Sequence, residues 1–151
     1  MPVISQEFFY KALGDAERST RADVSLLIIC IHLMIQVPAG DAKASQLRES
    51  LYLMIKCLYV CLQTLLPRSI ACLQAELLIA TFEHASGLCE EAYMTIGGCA
   101  RACFLMRLSR TPSSQVQKGT NDWLRAVEAK NLWWGNLIRD RSVLWKDLPL
   151  Q

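Results

Sequence analysis

Five stretches of this chain carry apolar residues in runs of helical length, each closed by proline, glycine or a polar segment. The first apolar run spans residues 24–37 and stops before Pro38 and Gly40, which predicts a helix from about Asp23 to Val37 with Asp23 as its N-cap. The second predicted helix runs from about Ser45 to Leu66 and is ended by Pro67. A third starts near Ser69, another capping residue type, and continues to about His84, where Ser86 and Gly87 break it. In the fourth, Cys89 to Leu108, the residues Ala92, Ile96, Cys99, Cys103 and Met106 follow each other by 4, 3, 4 and 3, so they lie on one face. Gly97 and Gly98 interrupt that helix at about 1 kcal/mol each relative to alanine, a cost that a close helix crossing would explain. Residues 109–121 read as a loop, and a last helix runs from about Asp122 to Lys146, with Pro149 beyond it. No alternating strand pattern competes.

The pattern therefore predicts an all-α fold of about five to six helices, packed as antiparallel hairpins around one core. Residues 1–23 read as a lead-in with a short helix at most, and 24–148 as one helical regulatory domain.

Composition sharpens this picture in two ways. The chain is 52% hydrophobic and 20% charged, enough to build a core and to leave apolar surface for a partner or for self-association. Sixteen basic and 14 acidic residues give a net charge of +2, too even a balance to expect direct DNA binding from this chain alone. One local bias places Arg101, Arg107, Arg110 and Lys118 between Glu91 and Asp122 with no intervening acid, a solvated helix end or a phosphate-facing patch. The two most apolar runs contain His32 and Gln36, and Lys56 and Gln63, and are short of the length that spans a bilayer; no membrane association is expected. Nor does the N-terminus read as a secretory signal.

Candidate chemistry is sparse. The seven cysteines contain no CxxC pair, so buried free thiols are expected rather than a zinc site. Cys57/Cys61 and Cys99/Cys103 each share a helix face and read as core packing. His32 reads as a hydrogen-bonded core histidine and His84 as a helix C-terminal one. Phosphate-loop, dinucleotide, nucleophile-elbow and metalloprotease motifs are all missing from the sequence, so neither a cofactor nor an enzymatic activity is expected. A small thiol enzyme or metal protein is the weakest reading.

Three segments carry more information: SIACLQAELLIATFEHASG at 69–87, EEAYMTIGGCARACFLMRL at 90–108 and EAKNLWWGNLIRDR at 128–141. In this order and spacing they resemble the fungal-specific transcription-factor domain, the middle homology region of zinc binuclear-cluster regulators. The matching positions are Leu73-Gln74-Ala75, Glu83 after Phe82, Gly87, Arg101 after Ala100, Trp133-Trp134 after Leu132, and Asp140-Arg141. By that resemblance the chain is a transcription-regulating, nuclear, all-helical effector domain, of a kind often found in metabolic gene clusters. It departs from the family in several places. No six-cysteine cluster is present, so no DNA-reading module of its own is expected. Ala129-Lys130-Asn131 stands where the family carries Arg before Leu-Trp-Trp. Met106-Arg107-Leu108 stands where Gly-Leu often ends the alanine-rich helix. The family's domain also continues past the Asp-Arg helix, so the chain reads as a truncated member. The competing reading is a helical protein-interaction adaptor unrelated to transcription.

Within the last helix, Trp134, Ile138 and Arg141 fall on one face, and an arginine on an apolar face needs a bonded partner. Arg141 is accordingly expected to reach Glu76 or Glu83.

Overall fold

The computed structural model describes residues 4, 6, 10, 14, 22–36, 42–108 and 120–146, with side chains as far as 141. Five long helices form, and no strand occurs among the described residues. They are α1 (Ala22–Ile35), α2 (Ala42–Leu65), α3 (Ile70–Ala85), α4 (Cys89–Leu105) and α5 (Asn121–Lys146). Each of the five helices lies within three residues of its expected bounds, because Pro67, Ser69 and Gly87 act as the sequence says they should.

Ser69 caps α3: its backbone is extended and its hydroxyl oxygen accepts from the Cys72 amide at 3.2 Å. The same hydroxyl donates to Asp23 Oδ2 at 2.7 Å, tying the start of α1 to the start of α3. Asp23 is therefore not the N-cap expected. It sits buried in the first turn of a helix that begins at Ala22, where its charge suits the positive end of the helix dipole. At the other end of α3, Gly87 takes φ +80°, the Leu88 amide donates to the Glu83 carbonyl at 2.9 Å and the Gly87 amide to His84 at 3.3 Å. These bonds make a Schellman turn, which needs a left-handed residue and so favours glycine.

That turn folds α4 back along α3. Cys99 Sγ lies 3.7 Å from the Leu73 carbonyl, and a Cβ built on Gly98 would come 2.8 Å from Glu76 Oε1, so the two helices run antiparallel and cross closely at Gly98. The close crossing expected at the glycine pair is thus located at the second of the two. The apolar face expected on α4 is also present: Ala92, Ile96, Cys99 and Cys103 are buried and Met106 is half-buried.

Helix α3 is buried on nearly all sides and divides the interior. On one side Leu26, Cys30 and Leu33 of α1 and Tyr52, Ile55 and Tyr59 of α2 pack against Ala75, Ile79 and Phe82. On the other side Ile96, Cys99 and Cys103 of α4 and Ala129 and Leu132 of α5 pack against Leu73, Leu77 and Ala80. Fully burying each leucine or isoleucine contributes roughly 1.5–3 kcal/mol, so both clusters anchor the same central helix.

Candidate functional site

Two carboxylates lie inside this helical stack. Glu76 and Glu83, seven residues apart on α3, are 2% and 0% exposed. Ionised groups in such positions require partners. Helix α2 supplies them from one face, where Tyr52, Lys56, Tyr59 and Gln63 follow at steps of 4, 3 and 4. Glu83 Oε1 accepts from the Tyr52 hydroxyl at 2.8 Å and from Lys56 Nζ at 2.7 Å, and Lys56 also donates to Thr95 Oγ1 on α4 at 3.1 Å. Two turns along, Glu76 is hydrogen-bonded by Tyr59, whose hydroxyl accepts from the Gln63 amide, and is paired with Arg68 Nη1 at 3.4 Å. Gly98 leaves the space that the Glu76 carboxylate occupies.

Burial dominates the electrostatics. It pushes the Glu76 carboxyl above its ordinary range, against the hydrogen bond from Tyr59 and the charges of Arg68, Arg101 and Lys56. Tyr52 and Tyr59 are pushed up as well, by burial first and then by the carboxylates they bond. Two core thiols are held in the protonated form: Cys30 is pushed up to about 12 by burial, and Cys99 is raised by its hydrogen bond with Cys103 and by burial, while the same hydrogen bond lowers Cys103. Among the described residues no group of three or more His, Cys, Asp or Glu is placed to hold a metal ion. No described helix is long and apolar enough to cross a membrane.

Beside Glu83 the surface opens into a cavity of about 570 Å³, lined by Arg48, Tyr52, Lys56, Phe82, Leu88 and Glu91 among others. Its wall is layered, with the Tyr52 and Phe82 rings stacked at 5.2 Å and the Arg48 guanidinium 4.7 Å from the Phe82 ring. A second cavity of about 390 Å³ brings Gln74, Leu77 and Thr81 of α3 against Gly135, Ile138 and Arg139 of α5.

The motif residues fall into two groups. Leu73, Gln74 and Ala75 are buried on α3, with Leu73 in the cluster against which Trp133 packs and Gln74 in the cavity shared with α5. Glu83 and Gly87 serve the opposite end of α3, as the carboxylate of Lys56 and the left-handed cap. Arg101 is exposed on α4, lies over Gly97, and adds positive potential to Glu76. Trp134 is 48% exposed, and the fully buried apolar side chain of that step is Leu132. Asp140 is half-buried.

Arg141 is exposed, and the buried partner expected for it is corrected. Glu76 and Glu83 are taken up by Arg68 and Lys56, which lie closer in the fold and come from the α2 side of α3. His32 is exposed rather than in the core, with Nε2 3.1 Å from the Gln36 amide nitrogen. Cys57 and Cys61 are exposed too, whereas Cys99 and Cys103 are buried as expected. Of the basic residues between Glu91 and Asp122, Arg101 and Arg107 are exposed and Arg110 and Lys118 lie outside the described residues.

Sequence reasoning missed Tyr52, Lys56, Tyr59, Gln63 and Arg68. The signal that could have found them was the match between a seven-residue spacing of acids on one helix and of tyrosines on another.

No family model matches the chain, and no solved structure matches it. Over 124 residues the chain is 30% identical to the protein named Transcription factor BOA15 from Botryotinia fuckeliana (strain B05.10), an alignment covering 82% of this chain and 68% of that protein.

Proposed function

This chain belongs to the family of the fungal transcription factor BOA15, and from that membership we propose that it is a regulatory domain of the middle-homology type that acts on transcription through protein contacts. The observation that carries the reading is an alignment that takes in most of the helical chain. In this reading the helical stack serves as a scaffold. The buried carboxylates are held by Tyr52, Lys56 and Tyr59 of α2 and by Arg68 just beyond it, an arrangement suited to fixing how the helices pack. In this reading the domain is not an enzyme, works in the nucleus and controls a block of metabolic genes. DNA contact is left to another module, consistent with a net charge of +2 and seven cysteines without a CxxC pair.

The test has two arms. Fused to a heterologous DNA-binding domain in a fungal reporter strain, the chain is expected to accumulate in the nucleus and to change reporter output severalfold. Deleting its gene is expected to change the expression of a contiguous set of metabolic genes. A stable nuclear fusion that leaves the reporter untouched, with an unaltered transcript profile in the deletion strain, would overturn the proposal.

A further inference from the structure

Along α2, Ser45, Arg48, Glu49, Tyr52 and Lys56 recur at three- and four-residue spacing and so share one side of the helix. The cavity of about 570 Å³ beside Glu83 lies between this side and the turn that joins α3 to α4, with Phe82, Ser86, Leu88 and Glu91 on the opposite wall. That volume is in the range of small-molecule sites, roughly 300–1,000 Å³. Its apolar lining is Tyr52, Leu53, Phe82 and Leu88. Its charged groups are of two kinds. Lys56 is committed to Glu83. Arg48, Glu49 and Glu91 have no ion pair or hydrogen bond among the described residues.

The arginine is the more telling of these. Its guanidinium lies over the Phe82 ring at 4.7 Å, which steadies the planar fork, and its Nε is buried with no acceptor. A buried charged donor needs an acceptor, and this fork fits a carboxylate through two parallel bonds. Neither neighbouring acid provides it. Glu49 directly follows Arg48, and adjacent helical residues do not face each other; Glu91 stands across the cavity on α4. A simple anion brought to Arg48 would meet two unpaired acids, and a simple cation brought to the acids would meet Arg48. A zwitterion satisfies both. We propose that this cavity binds a small amphipathic zwitterion of the α-amino acid class, its carboxylate on Arg48, its ammonium toward Glu49 and Glu91, and its apolar side chain against Leu53, Leu88 and the Tyr52 and Phe82 rings. The site stands apart from the transcriptional reading, since binding is measured on the purified chain without any reporter.

Isothermal titration with L-phenylalanine tests it. The expected Kd is about 1 mM or tighter. L-Phenylalanine methyl ester, which lacks the carboxylate, and N-acetyl-L-phenylalanine, which lacks the ammonium, should each bind at least about tenfold more weakly. Arg48→Met should weaken L-phenylalanine at least about tenfold with an unchanged helical circular dichroism spectrum, because the one contact Arg48 makes among the described residues is with the Phe82 ring. Should that variant misfold, Glu49→Gln/Glu91→Gln decides: both positions are exposed, and the N-acetyl form should then bind as well as the free amino acid. Ile138→Ala, in the second cavity, should leave binding unchanged. No binding of L-phenylalanine at about 10 mM, equal binding of the ester or the N-acetyl form to the wild-type chain, or loss of binding in Ile138→Ala but not in Arg48→Met would overturn the proposal.

Discussion

The adjacent glycines of α4 offer a controlled test of how tightly the buried acid is held. Converting glycine to alanine inside a helix stabilises it by about 1 kcal/mol, since alanine loses less backbone freedom on folding. At Gly97 the new methyl meets only Arg101 Nη1, at 3.4 Å, and that exposed guanidinium can move aside. Gly97→Ala is therefore expected to stabilise by about 0.5–1 kcal/mol. At Gly98 the methyl would lie 2.8 Å from Glu76 Oε1. That carboxylate is 2% exposed and bound to Tyr59 and Arg68, so it has no free direction of retreat. Overpacking of this kind costs about 1–3 kcal/mol, and the net effect of Gly98→Ala is a loss of about 1 kcal/mol. For a chain of this size the two variants should then differ in melting temperature by roughly 3–8 °C. Thermal and urea unfolding followed by far-ultraviolet circular dichroism would measure this. Removing the obstacle gives the internal control: in a Glu76→Ala background, Gly98→Ala should become stabilising, a coupling of at least about 1 kcal/mol. If Gly98→Ala stabilises the wild type as much as Gly97→Ala does, the close crossing at the carboxylate is wrong.

Three further outcomes follow from the same structure. Arg107 ends α4 at φ 55°, where the family often has glycine, so Arg107→Gly should raise stability by about 0.5–1 kcal/mol and Gly87→Ala, at φ 80°, should lower it by about 1 kcal/mol; chemical unfolding reads both. Burial raises the Glu76 pKa in the fold above 4.5, so its favourable contribution is complete below 4.5 and is lost as pH rises through the folded value. The stability of Glu76→Gln relative to wild type should therefore be greatest near neutral pH and shrink on acidification, and a flat or opposite trend in pH-dependent melts would refute it. Arg141→Ala should change stability by less than about 0.5 kcal/mol, whereas Lys56→Met, which strands Glu83, should cost about 2–3 kcal/mol; equal effects in unfolding titrations would reverse the assignment of partners.

The helices were legible because their punctuation is local. Ser69 reads as a cap and Gly87 as a stop from chemistry confined to a few neighbouring residues, and the α4 face follows from spacing alone. The partners of the acids were not legible, because they depend on which helix lies beside which. In sequence, Lys56 looks like an interruption of an apolar run and Arg141 like a charge in need of a mate; in space Lys56 lies beside Glu83, and Arg141 faces water. Cys57 and Cys61 misled for a related reason. Their surroundings are as apolar as those of Cys99 and Cys103, and a helix apolar all round does not announce which side is covered. Asp23 shows the limit at a helix start, where one residue of displacement turned a cap into a buried link to Ser69.

The two-turn spacing of Glu76 and Glu83 has a consequence for how α2 can be seated. An apolar contact tolerates sliding, since one leucine substitutes readily for the next, and a helix hydrophobic on both faces could dock at several offsets or even back to front. The acids act as a vernier. Only one axial offset and one rotation place Tyr52 and Lys56 on Glu83 while Tyr59 meets Glu76. A slip of one turn, or a reversal of faces, would leave two carboxylates in the interior without donors, at several kcal/mol each. The ion pairs thus add little to net stability but reject the misaligned arrangements, and in doing so they set which residues of α2 line the cavity beside Glu83.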